Sequence, residues 1–217
     1  MNIKERLLEL FFPSRCAFCR RVTGNGKQLC RDCERKLPYT DTDSAKQYFK
    51  NLACCVAPLY YEGSVRQSLL RYKFSGSTAN GAVYGKLMAK CIDETDISCD
   101  IITWVPLSRR RLRKRGYDQA RILAEAVAGE LDVPCERLLT KIRDNPAQSG
   151  AGSFENRRKN VSGAYEAVNT ACIENRRVLI IDDIVTTGST LSECAHVLKN
   201  AGAGCVYAAA AARKKDV

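Results

Sequence analysis

The passage that most constrains this chain lies near its C-terminus: Val178-Leu179-Ile180-Ile181-Asp182-Asp183-Ile184-Val185-Thr186-Thr187-Gly188-Ser189-Thr190-Leu191. An apolar run ends in two carboxylates, a turn rich in hydroxyls follows, and a helix starts. A strand that is apolar throughout needs cover on both faces, which is the situation of parallel sheets in α/β proteins. In such a sheet the turn falls at the carboxyl edge, where ligands bind. The free N–H groups of the turn and of the helix start can cradle a phosphate. Thr186, Thr187, Ser189 and Thr190 add hydroxyl donors, and Gly188 lets the backbone approach closely. The order of a Walker loop is absent, and no lysine follows the glycine. Asp182 and Asp183 can accept hydrogen bonds from two neighbouring sugar hydroxyls. A phosphate beside a diol describes ribose 5-phosphate; the bland alternative is an ordinary Asp-rich turn capping a strand.

The rest of the chain supplies a sheet around that strand. Cys54 to Tyr61, Asp100 to Pro106 and Cys205 to Ala212 read as strands. Ser64 to Tyr72, Ala79 to Ile92, Tyr117 to Leu131 and Thr187 to Asn200 read as helices, with Ala120, Leu123, Ala124 and Val127 on one face of the third. Alternating strands and helices predict an α/β fold, a parallel sheet flanked by helices.

Twelve cysteines in 217 residues raise the question of their state. Four of them form two C-x-x-C pairs, Cys16 with Cys19 and Cys30 with Cys33, and ten residues separate the pairs. That spacing lets two tight knuckles offer four thiolates to one tetrahedral Zn²⁺, a closed and therefore structural site. The other eight show no ligand spacing and read mostly as small buried hydrophobes. Residues 1–45 are expected to form this zinc-binding module, opened by an amphipathic helix (Ile3, Leu7, Leu10, Phe11), with metal supplying its folding energy. Residues 46–217 form the main domain.

Composition excludes several classes. With 45% hydrophobic and 27% charged residues the chain is no disordered tail. No apolar run reaches the roughly 18 residues of a membrane span, so no membrane insertion is expected. Acids inside the first apolar stretch make a poor secretory signal, and a reducing, cytoplasmic location follows as the expectation. The single histidine, His196, falls off the apolar line of its helix and reads as solvated.

The Val178–Leu191 passage resembles the signature of the type I phosphoribosyltransferases, which bind phosphoribosyl pyrophosphate (PRPP). The resemblance implies that Asp182 and Asp183 contact the ribose hydroxyls and form the catalytic pair of an active enzyme. It also implies that Thr186, Thr187, Gly188, Ser189 and Thr190 hold the 5-phosphate. Other segments narrow it: the cysteine knuckles, Arg71-Tyr72-Lys73-Phe74-Ser75-Gly76, Val105-Pro106-Leu107-Ser108, and Arg115-Gly116-Tyr117-Asp118-Gln119-Ala120. Gln148, Arg157-Arg158 and Asn160-Val161-Ser162-Gly163-Ala164-Tyr165 continue the series. In content and order these are similar to the ComF family (competence protein F, GntX-like), with Asp118 where that family usually has Asn. The resemblance implies the type I phosphoribosyltransferase fold, Mg²⁺ bound with PRPP, and a loop after Pro106 in which Arg109 and Arg115 flank the pyrophosphate. Displacement at C1 of PRPP passes through a cation-like sugar, as in glycoside cleavage, so the protein needs charge on the leaving group rather than a nucleophile.

The formal charge is +11. Residues 109 to 115 carry six cations, more than one pyrophosphate requires. Arg110, Arg111, Arg113 and Lys114 are candidates for a longer polyanion such as single-stranded DNA; a solvated face is the plainer reading. Residues 1–37, with nine basic and four acidic side chains, and Arg213-Lys214-Lys215 add to the basic surface. Two function classes follow. One is a ComF-like PRPP binder that serves single-stranded DNA uptake during natural transformation, with a competence helicase as the partner the resemblance implies. The other is an active phosphoribosyltransferase that moves ribose 5-phosphate to a nitrogenous base or amine. A PRPP-sensing nucleic-acid binder without catalysis is a third, weaker reading.

Overall fold

The computed structural model describes residues 13–24, 26–143 and 162–215. The amphipathic helix expected before Pro13, and Gln148, Arg157, Arg158, Lys159, Asn160 and Val161, lie outside the described residues.

The two longest apolar runs pair with each other at the centre. Strands β6 (Arg177–Val185) and β7 (Cys205–Arg213) lie parallel, in register from Arg177 opposite Cys205 to Val185 opposite Arg213. β3 (Ile101–Trp104) adds in parallel to β6, and β2 (Cys55–Val56) in parallel to β7. β1 (Lys46–Gln47) closes the edge antiparallel to β2, giving the order β1-β2-β7-β6-β3.

Alternation along β6 divides its apolar side chains between two layers. Leu179 and Ile181 face α3 (Gly63–Phe74), α4 (Asn80–Glu94) and α6 (Gln119–Leu131), in a core with Leu69, Tyr84, Met88 and Leu123. Val178 and Ile180 face α7 (Ser189–Asn200) and a small antiparallel pair, β4 (Leu139–Lys141) and β5 (Tyr165–Ala167). Each fully buried Leu or Ile here stabilises the fold by about 1.5–3 kcal/mol. Two residues set how closely α4 can approach α6. A Cβ at Gly85 would meet the Ala126 Cβ at 2.5 Å and its carbonyl carbon at 3.1 Å. Glycine there allows a contact that any side chain would prevent.

The shorter helices are α1 (Arg31–Lys36), α2 (Thr42–Ala45) and α5 (Arg109–Arg115). The zinc-ligand segment is fastened to the sheet's first helical layer. Ser68 Oγ donates to Ala17 O at 2.8 Å, Arg71 donates to Phe18 O at 2.8 Å, and the Phe18 ring meets Tyr84 edge-on at 5.5 Å.

Several expectations are corrected. The run from Cys54 to Tyr61 is a ladder strand only at Cys55–Val56, with isolated bridges at Leu59 and Tyr60; Pro58 has no N–H to give a ladder. The central strand continues through both acids to Val185 instead of ending at them, because β7 supplies partners as far as Arg213. α7 starts at Ser189, since Gly188 takes the left-handed conformation at φ 66°. The third expected helix starts at Gln119, because Asp118 serves as its cap. The segment after Ser108 is a helix, not a loop: the Ser108 hydroxyl accepts from Arg111 N, and left-handed Gly116 stops it. The sheet is parallel apart from its antiparallel edge strand β1.

Candidate functional site

The carboxyl ends of β3 and β6 carry the residues singled out from sequence. Beyond β6, Thr186 to Thr190 wrap a small concavity of about 40 Å³ whose lining includes Asp182 and Gly188. The first turn of α7 has no side-chain cap and no acid, so its N–H groups face outward unpaired by a cap. Thr187 Oγ1 and Ser189 Oγ lie 3.0 Å apart across the turn. A helix start ringed by hydroxyls offers donors of the kind that suit an anion. Gly188 is required twice, by its φ and because a Cβ there would run into the Phe49 ring.

Asp182 and Asp183 are neighbours in an extended strand, and their surroundings differ. Asp183 is 4% exposed and pairs with Lys73 Nζ at 2.9 Å through Oδ1, whereas its Oδ2 has no hydrogen-bond partner among the described residues. An unpaired buried carboxylate oxygen costs about 1–3 kcal/mol, so this atom is poised to take a ligand donor or cation. Asp182 accepts from the Asp183 N–H at 2.8 Å. Burial, and then the Asp183 charge, push its carboxyl up to about 8, against the pull of Lys73.

Asp118 joins the same region. Its Oδ2 accepts from Leu107 N at 3.1 Å and its Oδ1 from Ala120 N at 3.2 Å, so it pins the segment leaving β3 to the start of α6. Burial raises its pKa against those N–H donors, with Asp183 adding to the rise. Arg115 is half-buried, donates to Gln119 Oε1 and lies over the Phe74 ring, next in sequence to Lys73. Arg109, Arg110, Arg111, Arg113 and Lys114 are exposed along α5. Arg213 is not part of the basic surface: it is 5% exposed, donates to Ser44 O and lies over the Tyr60 ring. His196 is exposed, with its ring beside Asn200.

Sequence reasoning missed Lys73 and Phe49 as members of this region and gave Asp118 no role in it. Lys73 was visible only as part of a family-like segment, and no local signal ties it to an acid more than a hundred residues away. Phe49 lies outside every strand and helix expected from the sequence.

The metal centre is assembled as the spacing predicts. The sulfurs of Cys16, Cys19, Cys30 and Cys33 all lie within 4.8 Å of one another. A tetrahedral Zn²⁺ at about 2.3 Å per sulfur needs sulfur–sulfur edges of roughly 3.8 Å, and Cys19 Sγ lies 3.7 Å from Cys30 Sγ. Burial raises the pKa of Cys16, but N–H groups around its sulfur outweigh that and hold it at about 7. Burial and the surrounding thiols push Cys33 far upward. Four thiolates this close need a cation, and the donor set fits zinc. The other eight cysteines form no metal cluster among the described residues; Cys54, Cys55, Cys91 and Cys194 are buried.

Comparison with known proteins finds two family matches in the chain. Residues 118–216 match the family described as "Phosphoribosyl transferase domain", and residues 7–45 match "Double zinc ribbon domain". The chain is 27% identical to competence protein F of Haemophilus influenzae, over 88% of this chain and 93% of that protein. It is 26% identical to the DNA utilization protein YhgH of Escherichia coli, over 88% of this chain and 86% of that one. Among solved structures, the glutamine PRPP amidotransferase of B. subtilis is 23% identical, with a TM-score of 0.44. That match covers 64% of this chain and 30% of the amidotransferase.

Proposed function

Starting from a chain in which a phosphoribosyl transferase domain follows a double zinc ribbon, and whose homologues include competence protein F, we propose that the protein binds PRPP at the carboxyl edge of its sheet and acts in the use of single-stranded DNA taken up during competence. The observation that carries the PRPP reading is the conjunction at the end of β6. An uncapped helix start ringed by Thr186, Thr187, Gly188, Ser189 and Thr190 adjoins two carboxylates, one with a buried unpaired oxygen.

In this reading Thr186 to Thr190 bind the 5-phosphate through N–H and hydroxyl donors. Asp182 and Asp183 accept from the ribose hydroxyls and form the catalytic pair if transfer occurs. Arg109 and Arg115 take the diphosphate as bidentate forks, with Asp118 holding their helix against α6. Mg²⁺ bound with PRPP supplies positive charge to the leaving diphosphate, and hard carboxylate oxygens suit it. The exposed cations of α5 and the zinc ribbon supply the strand-binding charge, and a competence helicase is the protein partner the homology suggests.

The test is calorimetric titration of the full chain with PRPP and Mg²⁺. Saturable binding is expected in the wild type and none in the double variant Asp182→Asn, Asp183→Asn, with a thermal unfolding transition checking that the variant stays folded without the Lys73 pair. Unchanged affinity in that variant would refute the assigned contacts. The domain match also favours active transfer to a nitrogenous base or amine. Release of pyrophosphate in the presence of candidate acceptors supports that reading; binding without release leaves a PRPP-binding protein that does no chemistry.

A further inference from the structure

Phe74 is the last residue of α3 and is 69% exposed, although the residues before it, Tyr72 and Lys73, are held in the core and on Asp183. Leaving a Phe in water forgoes roughly 1.5–3 kcal/mol of burial. The Arg115 guanidinium already lies over the ring, 5.0 Å from its centroid. With one face so occupied and the residue still 69% exposed, the rest of the ring is left uncovered among the described residues. The frame behind the ring is rigid. Tyr72 Oη donates to Gln119 O at 2.8 Å, the Tyr117 hydroxyl donates to Tyr72 O, and Arg115 is held by Gln119 Oε1. The C-terminus of α3, the end of α5 and the start of α6 are therefore one unit, and the open ring sits beside a helix with no acid and six cations.

We propose that Phe74 is a base-stacking platform, and that it works with the exposed face of α5 to bind single-stranded nucleic acid: bases stack on the ring while Arg110, Arg111, Arg113 and Lys114 contact phosphates. This rests on the strand-binding half of the proposed function and gives it a location. The charge complementarity calls for a polyanion, and the aromatic face selects one that carries exposed planar bases. Stacking on an aromatic side chain tolerates any sequence, because every base has a π-face. Lys73, the residue before the platform, pairs with Asp183, so the platform and the proposed PRPP site share the end of α3.

Fluorescence anisotropy on the full chain separates the two contributions, using labelled oligothymidylate and an abasic oligomer of equal length across a salt series. Phe74→Ala should weaken oligothymidylate binding about tenfold while leaving abasic binding and the salt slope unchanged. Phe74→Tyr should restore affinity. Arg110→Gln with Arg113→Gln should weaken both oligomers and flatten the salt slope by roughly 1.4, two phosphates' worth for single strands. Equal affinity of wild type and Phe74→Ala for oligothymidylate overturns the platform but leaves the wider reading standing. Loss of abasic binding in Phe74→Ala overturns it too, since stacking cannot explain that. Failure of the wild type to bind either oligomer removes the strand-binding half of the proposed function with it, whereas PRPP binding is judged separately by calorimetry.

Discussion

At the residue scale, charge placement at the end of β6 decides the chemistry. Lys73 and Asp183 form a pair with side chains 20% and 5% exposed, and a pair so shielded is maintained only when its remaining valences are met. Asp183 Oδ2 has no partner among the described residues, and the proposed ligand would supply one. Asp182 carries a different consequence. Its carboxyl is pushed up to about 8, first by burial and then by Asp183, so the folded protein holds a proton that the unfolded chain releases near pH 4. That contribution to stability is complete below about pH 4 and is lost as pH rises toward 8. Urea unfolding of wild type and Asp182→Asn across pH 5 to 8 should show the wild type losing stability relative to the variant as pH rises. Parallel pH profiles would mean that Asp182 is ionised throughout. The local sequence announced both acids, their order and the hydroxyl turn. It could not announce Lys73, because the ion pair exists only once α3 docks beside β6.

At the element scale, the sequence carries capping residues at helix ends that the reading of it did not use. Ser108, Gly116 and Asp118 mark the start and stop of α5 and the start of α6. Reading the basic run as a loop overlooked those caps in favour of its charge. The short β2 shows the opposite limit: an apolar run of strand-like residues is cut by Pro58, and its length is set by what β7 can pair with. The contact between α4 and α6 had no signature beyond two glycines four residues apart, Gly81 and Gly85. Because the Ala126 Cβ and the backbone behind it leave no room, Gly85→Ala should cost about 1–3 kcal/mol by forcing the helices apart. Denaturant unfolding measures this directly, and a neutral or stabilising result would show that the two helices can separate freely.

At the scale of the whole molecule, the zinc segment is part of the main core. Cys16, Ala17 and Phe18 are buried in the same cluster as Tyr84, Leu123 and Ile181, and Ser68 and Arg71 hold the carbonyls of Ala17 and Phe18. Removing the metal should therefore destabilise the entire protein and not only its first fifty residues. We expect one Zn²⁺ per chain by elemental analysis, and a lowered midpoint for a single thermal transition after chelation or in Cys16→Ser. A chelated protein that melts at the wild-type temperature would contradict this. Among the described residues no helix is long and apolar enough to cross a membrane.

The sequence by itself determined the two centres: four cysteines whose spacing admits one tetrahedral ion, and a strand-to-helix passage whose residue types suit a sugar phosphate. Both are local, because the ligand groups lie within a few turns of backbone and their chemistry follows from residue type. Only the tertiary structure decided that Lys73 neutralises Asp183, that Phe49 covers Gly188, that Arg213 is buried rather than basic surface, and that Phe74 stands open beside α5. Those facts depend on which helix layer each side chain meets across the sheet. Such contacts arise from packing between segments far apart in the chain, and hydrophobic periodicity, which fixes which side of an element is buried, does not fix what it is buried against.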